Sequence, residues 1–156
     1  MRVVVAVVGK PRDVNLAAAI REYETRAARY WPLDVREVRQ ESTGRGEKSA
    51  TRVRDAEGER LFAAVPAGAR VVACDVSGRA YTSERFAEWL NSLRERAVDV
   101  AFLIGGAYGL GDAVRSQASS SLTLAPWTLP HELARLVLAE QLYRAGTIVR
   151  REPYHK

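Results

Sequence analysis

Val98-Asp99-Val100-Ala101-Phe102-Leu103-Ile104 is an apolar run broken only by Asp99, and it leads straight into Gly105-Gly106-Ala107-Tyr108-Gly109-Leu110-Gly111. The run is too short for a helix and too apolar for a strand with one wet face. It reads as a strand buried on both sides, and such strands belong to parallel sheets covered by helices. Glycine lets the backbone approach a ligand closely. The glycine-rich loop is therefore a candidate binding loop, with a tight turn that holds no ligand as the alternative.

The rest of the chain supplies the partners that such a strand needs. Val3-Val4-Val5-Ala6-Val7-Val8 is a second buried run, ended by Gly9-Lys10-Pro11. Asp13 can cap a helix from about Val14 to Tyr30. Its apolar stripe is Leu16, Ile20, Tyr23, Ala27 and Tyr30, and Trp31-Pro32 stops it. Leu33 to Val38 predicts another strand. Gln40 to Lys48 is a polar loop punctuated by glycine, and a charged helix follows from about Lys48 to Val65. Val71 to Asp75 predicts a strand that turns at Ser77-Gly78-Arg79. Thr82 or Ser83 caps a helix whose buried face is Phe86, Leu90 and Leu93. After the glycine loop come a short helix beyond Asp112, a strand from Ser121 to Leu124, and a loop from Ala125 to Leu129. Pro130 suits the first turn of a last helix, His131 to about Ala145, which Gly146 ends. That helix is apolar nearly all round, so it needs cover on two sides. A second subunit could supply one of them. The pattern is an α/β fold with a mostly parallel sheet and helices on both faces.

With 156 residues, the chain is expected to form one domain. Twenty-four basic residues against nineteen acidic ones give a net charge of +5. The sequence pI is near 9.7, the coarse footprint of a nucleic-acid binder, although an arginine-rich composition has the same effect without any ligand. Cys74 is the single cysteine, and His131 and His155 are the only histidines. An intrachain disulfide, a four-cysteine zinc site and a three-histidine metal site are thereby excluded, and no metal is expected. Val3 to Val8 is too short for a membrane span or a signal-peptide core. The expectation is a cytoplasmic protein in a reducing compartment, with no membrane partner.

In open α/β sheets, ligands bind beyond the carboxyl ends of the strands. Three loops qualify late in the chain: those after Cys74-Asp75, at Gly105 to Gly111, and at Leu124 to Leu129. A dinucleotide fingerprint would place its glycines after the first strand, where only Gly9 stands. No lysine follows the glycines as in a phosphate-binding loop, and no nucleophile elbow is present.

Several separated motifs are familiar. They are Val8-Gly9-Lys10, Glu22-Tyr23-Glu24-Thr25-Arg26, Asp75-Val76-Ser77-Gly78-Arg79, Ser83-Glu84-Arg85-Phe86-Ala87, and Phe102 to Leu110. At the end stand Thr128-Leu129-Pro130-His131-Glu132-Leu133-Ala134-Arg135, Glu140-Gln141-Leu142-Tyr143-Arg144-Ala145, and Pro153-Tyr154-His155-Lys156. In this order, and along the whole chain, the sequence resembles the RlmH family, the SPOUT-class methyltransferases that act on N3 of a pseudouridine in 23S ribosomal RNA.

The resemblance implies a single SPOUT domain over residues 1–156 with a C-terminal trefoil knot. It implies S-adenosylmethionine as cofactor and a homodimer with the cofactor beside the interface. The implied substrate is a pseudouridine in a hairpin loop of 23S ribosomal RNA on the assembled ribosome. A non-catalytic ribosome-associated RNA-binding protein, or a SPOUT enzyme for a different RNA, is the alternative. The family's cofactor contacts fall on Cys74, Gly105, Leu124, Ala125, Pro126, Trp127, Thr128 and Leu129. Cys74 stands where leucine is usual, and Ala125 and Trp127 replace a serine and a smaller apolar residue. Trp127 could wall the adenine. In the tail, Arg150-Arg151-Glu152 precedes the proline where a glycine is common.

Methyl transfer to N3 requires the N3 proton to leave and the resulting anion to be stabilised. Arg144, Tyr154 and His155 are the candidates for that work, His155 as a possible base reaching the partner's site. His131 lies in the first turn of a helix, whose dipole disfavours an imidazolium. It is a weaker catalytic candidate than a packing residue near the cofactor loop. Arg135 reads as a member of an interhelical or interface ion pair. Tyr108 either lines the site or packs. Arg45, Lys48, Arg52 and Arg54 either meet phosphates or form a solvated helix face.

Overall fold

The computed structural model describes residues 1–42 and 47–155, without the side chains of Glu47, Lys48 and His155. The expectations for Arg45, for the Lys48 side chain and for most of the 40–48 loop lie outside the described residues. Strands β1 (Val3–Val8), β2 (Leu33–Val38), β3 (Arg70–Arg79), β4 (Val100–Ile104) and β5 (Ser120–Leu122) form one parallel sheet in the order β2-β1-β4-β3-β5. Both long apolar runs, β1 and β4, lie side by side at its centre. Every residue of both is buried, as a strand covered on two faces requires.

The pleat sends alternate side chains to opposite faces. Val3, Val5 and Val7 join Phe102 and Ile104 under helices α1 (Val14–Ala27), α3 (Ser83–Glu95) and α5 (His131–Val149). Ala6 and Val8 join Leu103 under α2 (Glu47–Ala63) and α4 (Asp112–Gln117). The helix starts follow local chemistry. Asp13 accepts hydrogen bonds from the backbone N–H groups of Asn15 and Leu16 at 2.9 and 2.8 Å, and Thr82 accepts one from Arg85 at 3.2 Å. The expected face of α3 is buried at Phe86, Leu90 and Leu93. Trp31 is fully buried, and its indole N–H donates to the Leu142 carbonyl at 2.8 Å.

Three boundaries differ from expectation for identifiable reasons. α5 runs through Gly146 to Val149 instead of stopping there. That glycine serves close packing: a Cβ on it would lie 2.3 Å from Cγ of Tyr30. β3 does not end before Ser77. It bulges after Cys74 and pairs again at Arg79, whose carbonyl accepts from Thr123 N at 3.1 Å. α1 ends at Ala27, and the chain tightens there into turns in which Tyr30 N donates to the Ala27 carbonyl.

α5 lies against α1, α3 and the sheet, which bury Leu138, Leu142 and Ala145, while Leu133, Leu136 and Val137 are only half-buried. Among the described residues no helix is long and apolar enough to cross a membrane.

Candidate functional site: a cavity at the carboxyl ends of β3, β4 and β5

The three late loops converge. Beyond the ends of β3, β4 and β5 lies a cavity of about 350 Å³. Cys74, Gly105, Leu124, Ala125, Trp127, Thr128 and Leu129 all line it, and so do Tyr108 and His131. Pro126 does not appear on its wall. The volume falls in the range of small-molecule sites, roughly 300–1,000 Å³.

The glycine loop is shaped by contacts that exclude side chains. A Cβ on Gly105 would lie 2.6 Å from the carbonyl carbon and oxygen of Gly109. Gly109 N donates to the Gly106 carbonyl at 3.0 Å, and Gly109 takes a φ of +71°, where a Cβ is disfavoured. The loop after β5 is held by the Thr123 hydroxyl, which donates to the Ala125 carbonyl at 2.6 Å. Ile104, Leu110, Leu124 and Leu129 give the cavity apolar walls among exposed backbone groups. Burial pushes the Cys74 thiol up to about 12, with the neighbouring Asp75 charge adding to it. It stays protonated and acts as a small apolar wall, in keeping with its place where leucine is usual.

A charged wall that sequence reading did not assign stands opposite. Asp75 Oδ1 accepts from both the backbone N–H and the hydroxyl of Ser77, at 3.0 and 2.5 Å. Arg115 reaches Asp75 with one nitrogen and Asp112 with the other, each at 2.7 Å. Burial pushes the Asp75 carboxyl up, but the bonds from Ser77 and Arg115 outweigh it and hold the group below the usual aspartate value. Arg54, one of the possible phosphate contacts, also lines the cavity. The aspartate was within reach of sequence reasoning, because the apolar run of β3 stops at it. Arg115 was not, because only the fold of α4 brings it there.

His131 stands at the cavity with its Nε2 4.0 Å from Glu132 Oε1, and that oxygen accepts from Arg12 N at 2.9 Å. Arg135 makes the expected pair. It is buried and bridges α1 and β2 through Glu24 at 2.7 Å and Glu37 at 2.7 Å. Glu57 of α2 is also buried. Its Oε1 accepts from Glu41 N at 3.0 Å, while Oε2 has no partner among the described residues. A Cβ on Gly106 would lie 2.7 Å from that Oε2.

Arg144 and Tyr154 lie apart from the cavity, towards the far end of α5. The Arg144 guanidinium bonds Glu140 Oε1 at 3.0 and 2.7 Å and lies 4.9 Å from the Tyr154 ring centre. The Tyr154 hydroxyl donates to the same oxygen at 3.1 Å, and its ring stands 4.5 Å from that of Tyr143. Burial, with help from Tyr23 and Glu140, pushes the Tyr154 hydroxyl above the usual tyrosine value, so it remains a proton donor. Within Arg150-Arg151-Glu152, Arg151 takes a φ of +58°, the left-handed region that glycine favours, before the 3₁₀ turn Pro153–His155.

A family model described as Predicted SPOUT methyltransferase matches residues 1–155. Ribosomal RNA large subunit methyltransferase H of Gemmatimonas aurantiaca is 62% identical over 156 residues, the whole of both chains. This chain belongs to the methyltransferase H family. Methyltransferase H proteins of Anaeromyxobacter sp. and Geobacter sp. are 45% and 42% identical over at least 99% of each chain. Among solved structures, a probable methylase family protein from Haemophilus influenzae shares the fold, with a TM-score of 0.57 at 13% identity. The alignment covers 99% of this chain and 70% of that one. The build of the strand-end cavity fits a cofactor. Apolar walls suit an adenine, and close-packed backbone offers hydrogen bonds without side chains in the way.

Proposed function

We propose that this chain is an S-adenosylmethionine-dependent methyltransferase acting on N3 of a pseudouridine in a hairpin loop of 23S ribosomal RNA, on the assembled ribosome in the cytoplasm. The observation that carries the proposal is the cavity at the ends of β3, β4 and β5, lined by seven of the eight residues carried over from the family's cofactor contacts. Bound there, S-adenosylmethionine supplies an already activated methyl electrophile. The protein's own work is then to orient the two reactants, keep water out and remove a proton.

The loops at Gly105–Gly111 and Leu124–Leu129 grip through backbone groups and fix the direction of approach. N3 of the acceptor carries a proton at neutral pH. That proton must leave as the new N–C bond forms, and a nearby cation favours the resulting anion. Arg144 is the cation of this reading. Its bonds to Glu140 hold its pKa above the ordinary arginine value, so it stays charged. Tyr154 positions it through the shared Glu140 oxygen. His155 is the candidate base, and His131 at the cavity wall orients neighbouring groups.

Because Arg144 and Tyr154 stand away from the cavity of their own chain, this reading requires a second copy to bring them to the acceptor. The protein therefore acts as a homodimer of single SPOUT domains, residues 1–156, each with its C-terminal segment threaded as a trefoil knot. No metal takes part. Mass spectrometry of 23S ribosomal RNA from a strain lacking this protein tests the assignment. Loss of the N3-methylated pseudouridine is expected, and its persistence would refute it.

A further inference from the structure

Four large apolar side chains are exposed among the described residues: Val14, Val76, Tyr108 and Trp127. Three of them line one cavity, and they come from three different segments: Val76 from the irregular stretch of β3 between Cys74 and Arg79, Tyr108 from the glycine loop, and Trp127 from the loop after β5. Folding does not account for this convergence. Trp127 is 77% exposed, whereas Trp31 is fully buried and Trp89 packs partly buried against the core. An exposed aromatic rim around a pocket marks a surface that something else covers.

The occupant is identified by what stands beside it. Arg54 lines the same cavity, and among the described residues it makes no ion pair. The Arg54 guanidinium donates to the Thr51 hydroxyl at 3.4 Å and stays near the cavity. Exposed aromatic rings beside a guanidinium are a means by which proteins hold unpaired nucleotides: bases stack on the rings and a phosphate meets the cation. We infer that Trp127 and Tyr108 form a stacking rim for an unpaired base of the RNA loop beside the methylated nucleotide, with Arg54 on its backbone. This deepens the proposed function and rests on RNA being the substrate. The side chain of Trp127 faces RNA while the backbone of its loop faces the cofactor.

The test separates the two ligands. Cofactor affinity is measured by calorimetry with S-adenosylmethionine, and ribosome affinity by co-sedimentation, which needs no catalysis. Trp127→Ala should weaken ribosome binding about tenfold, by far more than it weakens cofactor affinity, and Trp127→Phe should restore most of the loss. Arg54→Gln should weaken ribosome binding and lower its salt dependence by about one counterion. Equal loss of cofactor affinity in Trp127→Ala would make Trp127 a cofactor wall and overturn the inference. Unchanged ribosome binding would overturn it as well. So would a Trp127 emission already shielded from acrylamide in the free protein, since a second copy would then be its cover. A wild-type protein that sediments with ribosomes in a Trp127-dependent way but never methylates them would refute the reaction and leave this rim standing.

Discussion

Gly105 and Gly109 lie backbone to backbone, so close that a Cβ on Gly105 would sit 2.6 Å from the Gly109 carbonyl. The obstacle is the loop's own main chain, which has no flexible end to move aside. Gly105→Val, and even Gly105→Ala, must push the loop open from within. Cofactor affinity should fall by at least about tenfold, with a loss of stability of about 1–3 kcal/mol from overpacking. Calorimetry and urea unfolding read the two effects separately. An unchanged affinity in Gly105→Val would place the cofactor elsewhere.

Glu57 sets a pH dependence. Burial raises its pKa above the ordinary value of 4.5, against the opposing pull of the Glu41 backbone N–H and Arg60. Because the folded-state pKa is the higher one, ionisation opposes folding. Its contribution to stability is full below the unfolded pKa and is lost as pH rises through the folded one. Glu57→Gln keeps the acceptor for Glu41 N and removes the charge. The variant should gain about 1 kcal/mol at neutral pH and show a flatter stability profile between mildly acidic and neutral solution. Chemical denaturation across that range measures both. A variant less stable than wild type at neutral pH would mean that the carboxylate is satisfied as an ion.

Arg135 locks α5 to α1 and β2. Burial works against its charge, yet the bonds to Glu24 and Glu37 more than offset this and raise its pKa. Removing it leaves two carboxylates without their partner. Arg135→Ala should cost about 3 kcal/mol, and Arg135→Met distinctly less if packing is restored and Glu24→Gln is added. A thermal unfolding series over these variants tests the coupling. Because the residue lies away from the cavity, cofactor affinity in the folded variants should stay near the wild-type value.

Deleting Tyr154 to Lys156 separates cofactor binding from chemistry. The cluster that Tyr154 joins, with Arg144 and Glu140, does not border the cavity of its own chain. Cofactor affinity should be kept and methyl transfer lost. Calorimetry and a radiolabelled methyl assay give the two readouts. Full transfer by the truncated chain would remove the tail from the mechanism.

The parts of this protein legible in its sequence are those that depend on local composition. Continuous apolar runs at Val3–Val8 and Val100–Ile104 determine buried parallel strands, and Asp13 and Thr82 announce their helices by capping. Convergence of the late loops followed from the rule that ligands sit at strand ends, and the cavity lies there. What was not legible depends on distant chain segments. Gly146 has the composition of a helix stop, but the Tyr30 ring gives it a packing role in mid-helix. The return of β3 at Arg79 depends on Leu122 and Thr123 arriving beside it. The Asp75–Arg115 wall joins residues forty positions apart, and no periodicity relates them. The exposure of Trp127 was not legible either, because it depends on which segments pack beside its loop.

The most direct test of the central claim is reconstitution. Ribosomes from a strain lacking this protein are incubated with the purified chain and S-adenosylmethionine, and the 23S ribosomal RNA is mapped by mass spectrometry. One added methyl on N3 of a single pseudouridine, absent when Gly105→Val replaces the wild type, is the predicted result. No added methyl, or a methyl on any other nucleotide, would contradict it.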